Sequence, residues 1–152
     1  MRTTYRVLAY LICALVALQA ASHAWASAGI ALFLAEGGTV DFASDGPPPF
    51  PEALGLIIHG MNGMYAIPVV ALALLVVAFL ARIPGGVVRA VVVLVLVVLQ
   101  VTLGLLGHEL TALAFLHGLN AIALFGAAFG AGMLAGRGRR DVAASRPTVG
   151  VA

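Results

Sequence analysis

The chain contains no lysine and a single cysteine, Cys13, and charged side chains make up only 9% of its 152 residues. One thiol excludes an internal disulfide and any cluster of thiolate ligands. So few charges leave too little polar surface to cover a water-soluble domain of this length. No glycine-rich phosphate loop, no nucleophile beside a base and no carboxylate pair occurs, which argues against hydrolase or kinase chemistry. The arginines are not interleaved with aromatics, and that speaks against a nucleic-acid partner.

What is present is apolar. Hydrophobic residues make up 62% of the chain, and a bilayer-spanning helix needs about 20 of them in succession. Four stretches meet that length, at about 7–35, 54–81, 87–106 and 110–135. The expected fold is all-α: an integral membrane four-helix bundle forming one domain over 1–136, followed by a disordered tail over 137–152. The eight arginines lie at the N-terminus (Arg2, Arg6), between the second and third stretches (Arg82, Arg89) and in the tail (Arg137, Arg139, Arg140, Arg146). Five of the six acids (Glu36, Asp41, Asp45, Glu52, Glu109) occupy the other two connections. The positive-inside rule then places both termini in the cytoplasm. An alternative stands at the N-terminus, where Arg2, Arg6, the apolar core and the small-residue sites around Ala24-Trp25-Ala26 also fit a secretory signal peptide. Apolar sequence continuing to Ala35 favours a retained helix.

The chain repeats itself. His59-Gly60-Met61-Asn62 returns as His117-Gly118-Leu119-Asn120 in the even stretches, and Leu15-Val16-Ala17-Leu18-Gln19 returns as Leu96-Val97-Val98-Leu99-Gln100 in the odd ones. Two helical hairpins of common ancestry are implied. The longer connection, 36–53, is rich in glycine and proline and reads as a loop.

Polar residues inside a bilayer are costly and mark packing contacts or function. At about 1.5 Å per residue, His59 lies about 34 Å above Arg82 and His117 about 30 Å above Arg137. The two histidines share one external level. Residues three or four apart share a helix face, so Gly55, His59, Asn62, Gly63 and Ala66 form one stripe, and Ala114, His117, Asn120, Ala121 and Leu124 form its counterpart. Gln19, His23 and Ser27 align on the first helix, and Gln100, Gly104 and His108 on the third. Facing helices of a bundle build cofactor sites from such stripes.

Each feature also has a plain packing explanation. Glycine allows close helix approach and asparagine hydrogen-bonds across it, and His108 beside Glu109 reads as an interfacial polar group. The glycines of Gly126-x-x-x-Gly130 and Gly132-x-x-x-Gly136 are expected at packed interfaces, and Pro68 is expected to bend the second helix. For His59 and His117 the shared motif and depth favour axial ligation of one metal centre. Two neutral imidazoles complete heme iron, whose other four ligands come from the porphyrin, whereas zinc or copper wants three or four protein ligands. The expected cofactor is a non-covalent b-type heme, with His59 and His117 as metal ligands and Asn62, Asn120, Gly63 and His23 around it. No arginine lies at that rim to pair with heme propionates.

The four-helix arrangement, with Leu-x-x-Leu-Gln in the odd helices and a histidine before small residues in the even ones, resembles a family of uncharacterised four-helix membrane proteins of actinobacteria. It is also similar to one half of heme A synthase, and that likeness implies heme ligation by His59 and His117 on the external side. The synthase's catalytic half carries a glutamate close to a ligand histidine. Here the nearest acid, Glu52, is two turns before His59, so the resemblance points to a half that holds heme without oxidative chemistry. The expected protein is thus a heme-binding component of the bacterial inner membrane, for electron transfer or heme handling, with a redox partner or quinone and no enzyme activity of its own. A heme-free accessory subunit is the alternative. A small transporter ranks third, because the helices offer almost nothing polar below Gln19 and Gln100.

Overall fold

The computed structural model describes residues 1–41, 46 and 49–144, with side chains to residue 136. Asp45, Pro47 and Pro48 of the long connection, and residues 145–152 of the expected tail, lie outside the described residues. Helix α1 (Arg2–Ala35) is followed by a 3-10 turn (Pro51–Ala53), α2 (Leu54–Met61), a π-helical turn (Asn62–Ala66), α3 (Ile67–Ala81), α4 (Gly86–Leu106) and α5 (Thr111–Ala144). The turn, α2, the π-turn and α3 form one continuous rod, so four rods are long and apolar enough to cross a membrane. The chain is a multi-pass membrane protein. The fourth helix continues past residue 136 to Ala144, into the segment expected as tail.

The residues sort as the bilayer requires. Large apolar side chains face outward, among them Val7, Val69, Phe79, Val88 and Ile122, each more than half exposed. Small ones face inward: Ala9, Ala71, Ala90, Ala128 and Ala131 are fully buried, with Tyr5, Ile12, Leu74, Val93 and Leu124 filling the remaining space. Apolar tails of lipid are as good a solvent as leucine, so helix association depends on close backbone approach and buried hydrogen bonds.

The arginine-bearing ends converge. Buried Tyr5 donates its hydroxyl to the Gly86 carbonyl at 2.9 Å, joining the start of α1 to the start of α4. Arg6 lies over the Tyr10 ring, 5.7 Å from its centroid. Gly132 gives that ring its seat, since a β-carbon there would stand 2.7 Å from Tyr10 Cε1. Of the glycines expected at interfaces, Gly130, Gly132 and Gly136 face side chains of other helices, whereas Gly126 faces open space. The tight connection between α3 and α4 turns through left-handed Arg82 and Gly85, at φ 48° and 71°.

Pro68 acts just inside α3. Proline has no N–H and its ring clashes with the carbonyl four residues back, and the ladder ahead of it widens so that the Ile67 N–H bonds the Asn62 carbonyl five residues away. The expected bend thus takes the form of a π-turn, a feature often found at functional sites. At the opposite end from the arginines, Gly55 sits against the main chain of α1, where a β-carbon would collide with the Ser22 carbonyl.

Gly55→Ala is therefore expected to destabilise the bundle by about 1–3 kcal/mol through overpacking, while Gly118→Ala, which enters open space, leaves stability within about 0.5 kcal/mol. Unfolding of detergent-purified protein with SDS measures both.

Candidate functional site

Each hairpin is closed by a relay of hydrogen bonds, and the two relays use corresponding residues. In the first, Asn62 donates through Nδ2 to the Leu15 carbonyl at 2.8 Å and to Gln19 Oε1 at 2.8 Å, and His59 Nδ1 meets the Gln19 carbonyl at 3.0 Å. In the second, Asn120 donates through Nδ2 to the Leu96 carbonyl at 2.9 Å and to Gln100 Oε1 at 2.6 Å, and His117 Nδ1 meets the Gln100 carbonyl at 2.9 Å. The two hairpins share one hydrogen-bonding design.

A carbonyl oxygen only accepts, so both histidines must carry their proton on Nδ1. Each Nε2 is then left with a lone pair. Donation of the other ring N–H to a main-chain carbonyl is the arrangement that fixes tautomer and ring direction in metal-binding histidines.

The expected site residues come together unequally. The His59 and His117 rings lie with centroids 6.1 Å apart and planes at 52°. His23 stands beside His59, ring centroids 5.0 Å apart, on an exposed part of α1 where its Nδ1 lies 3.2 Å from Ser27 Oγ. Asn62 and Asn120 are buried behind the histidines as cross-links between helices. Gly63 provides clearance for Gln19, whose amide a β-carbon would strike. Gly104 does the same for His117, whose Cε1 would be 3.0 Å from an added β-carbon. Asn62 Oδ1 is buried with no hydrogen-bond partner.

A pocket of about 160 Å³ lies against both histidines. Its wall includes Gln19 of α1, His59 and Gly63 of the second rod, Gln100 and Gly104 of α4, and His117 of α5. Val16, Ile67, Val97 and Leu124 make its floor apolar. Exposed Met64 and Leu105 flank it, so it opens sideways between the second and third rods. His108 also borders it, although its side chain is exposed. Glu52, expected in the loop, belongs instead to the 3-10 turn that begins the second rod, facing Gly29.

Among the described residues, no group of three or more histidine, cysteine, aspartate or glutamate side chains is placed to hold a bare metal ion. Gln19 and Gln100, absent from the expected ligand shell, organise it. Their signal was the Leu-x-x-Leu-Gln repeat, which marks the carbonyl of Leu15 or Leu96 and the glutamine one turn later as partners for the asparagines. No family model, curated protein or solved structure matches the chain.

Replacement of Asn62 or Asn120 by alanine removes two hydrogen bonds from one hairpin. Membrane hydrogen bonds contribute about 0.6 kcal/mol each on average, so each variant is expected to lose about 1 kcal/mol. A double-mutant cycle of Asn120→Ala with Gln100→Ala, read by SDS unfolding, should show coupling, whereas Asn120→Ala with Gln19→Ala should be additive.

Proposed function

We propose that the protein holds one b-type heme between His59 and His117, near the end of the bundle away from its arginines, and serves electron transfer or heme handling in the bacterial inner membrane. The observation that carries this reading is the paired Nδ1 donation to main-chain carbonyls, which presents two oriented Nε2 lone pairs from facing helices.

The dimensions agree with it. Imidazole nitrogens bind metals at about 2 Å, which sets two rings sharing one ion about 6 Å apart by centroid; the rings here stand at 6.1 Å. Two imidazoles are too few for a bare ion but complete a porphyrin's iron. The pocket is bounded by valine, leucine and glycine, as the mostly apolar surface of a macrocycle requires. Its side opening lets a group larger than the enclosed volume extend toward the lipid. Bound there, heme would supply a one-electron couple whose potential the buried surroundings tune.

The remaining roles belong to the chain. Gln19 and Gln100 aim the imidazoles through their carbonyls, Asn62 and Asn120 hold the glutamines, and Gly63 and Gly104 keep β-carbons out of the way. Outward valine, leucine and phenylalanine leave the lipid bilayer as surroundings, and a quinone or protein at the outer surface as electron exchange partner.

A heme-free accessory subunit is the second reading. It is favoured by the Gln100 amide, which lies 3.1 Å from His117 Nε2 and gives that lone pair a partner within the protein. The two readings separate in an absorption spectrum of detergent-purified full-length protein, supplied with heme and recorded before and after dithionite. Heme binding predicts a low-spin spectrum that is lost in His59→Ala and in His117→Ala and kept in His108→Ala. A wild-type protein with no Soret band, or single variants that both retain the low-spin bands, overturns it.

A further inference from the structure

The two relays end differently, and the difference ranks the two histidines. In the first hairpin the Gln19 amide donates to the main-chain carbonyl of His59 at 2.8 Å. His59 Nε2 has no hydrogen bond among the described residues. In the second hairpin Gln100 Nε2 lies 3.1 Å from His117 Nε2.

The direction of that contact follows from its neighbours. The Leu96 carbonyl accepts, so the nitrogen of Asn120 faces it and also donates to Gln100 Oε1. Gln100 therefore presents its NH₂ to His117 Nε2, which accepts because its ring proton sits on Nδ1. One imidazole lone pair is engaged within the protein and the other is free.

Resting on the heme reading above, we propose that His59 is the permanent ligand and His117 an exchangeable one, so that the pocket beside His117 admits a small uncharged ligand such as carbon monoxide in its place. In the exchange His117 Nε2 gives up its bond to iron, keeps its lone pair and accepts the Gln100 N–H, while the carbon lone pair of the incoming molecule forms the new bond. No proton or electron changes hands. The walls next to His117 are Val97, Val101, Gly104 and Leu124, which suit a neutral diatomic and offer nothing to an anion.

The ranking is tested on full-length protein in detergent by heme titration, and by carbon monoxide titration after dithionite. Heme affinity should fall about tenfold or more in His59→Ala and clearly less in His117→Ala, which should keep heme in a high-spin state that binds carbon monoxide without competition. Gln100→Leu removes the competitor for His117 and should weaken carbon monoxide binding about fivefold, the equivalent of one net hydrogen bond. Should Gln100→Leu fail to fold, ¹⁵N histidine spectra of heme-free wild type give the same information: the Nε2 signal of His117, and not that of His59, should carry the shift of a hydrogen-bonded acceptor. Equal heme losses in the two alanine variants, unchanged carbon monoxide affinity in Gln100→Leu, or a free Nε2 on His117 overturns the ranking while leaving bis-histidine binding intact. Absence of heme from the wild type overturns both.

Discussion

A polar side chain within hydrocarbon must find its partners inside the protein, and the whole outer half of this bundle is arranged around that requirement. Two glutamines, two asparagines and two histidines stand at membrane depth, and each hairpin satisfies its own set by joining a side chain of one helix to a main-chain carbonyl of its neighbour. The carbonyls are already part of helical ladders and use their second lone pair, so no helix is broken to supply them. Close approach follows from the same constraint. Hydrogen bonds of 2.6–2.9 Å between Asn120 and the α4 residues Gln100 and Leu96 require helices spaced by alanine and glycine, and those are the residues found inside.

The fold was legible because composition largely decides it. Four apolar runs separated by short charged connections leave few alternatives once each run must hydrogen-bond its own backbone. The arginine asymmetry was equally readable, and Tyr5, Arg6 and Arg89 do meet at one end. The second rod was harder. Pro68 announced a disturbance, but whether a helix answers with a kink or a π-turn depends on how its neighbours hold it, and here Asn62 is tied to α1 just ahead of the proline. Gly126 misled for a related reason: spacing places two glycines on one face, yet only packing decides whether that face meets a helix or lipid.

At the candidate site the histidines and asparagines were found through their matched spacing, and the pocket between them follows from the stripes they form. The glutamines stood apart because their role lies in connection. A side-chain amide that ties asparagine to histidine has no motif within one helix, and it becomes visible only when the odd-helix repeat is laid against the even-helix repeat. His23 shows the reverse case, a histidine at suitable depth on a polar stripe whose ring reaches the edge of His59 yet stays exposed outside the pocket.

The two halves are alike down to the asparagines and differ beyond them, and that break in symmetry opens the pocket. Gly126 of α5 stands at the repeat position of Pro68 in the second rod, so the fourth helix runs on as regular α-helix while the second shifts register at Asn62. Above the shift α2 packs on α1, and below it α3 packs on both α1 and α4. The second rod consequently diverges from α4 in its outer half, in the stretch flanked by Met64 and Leu105. The same shift accompanies a buried polar atom without a partner among the described residues, Asn62 Oδ1, and it falls in the hairpin whose histidine, His59, keeps its Nε2 unengaged. A perfectly symmetric duplication would have closed both hairpins alike and met face to face along their full length. Proline on one side and glycine on the other leave an apolar gap with an uncommitted imidazole at its edge.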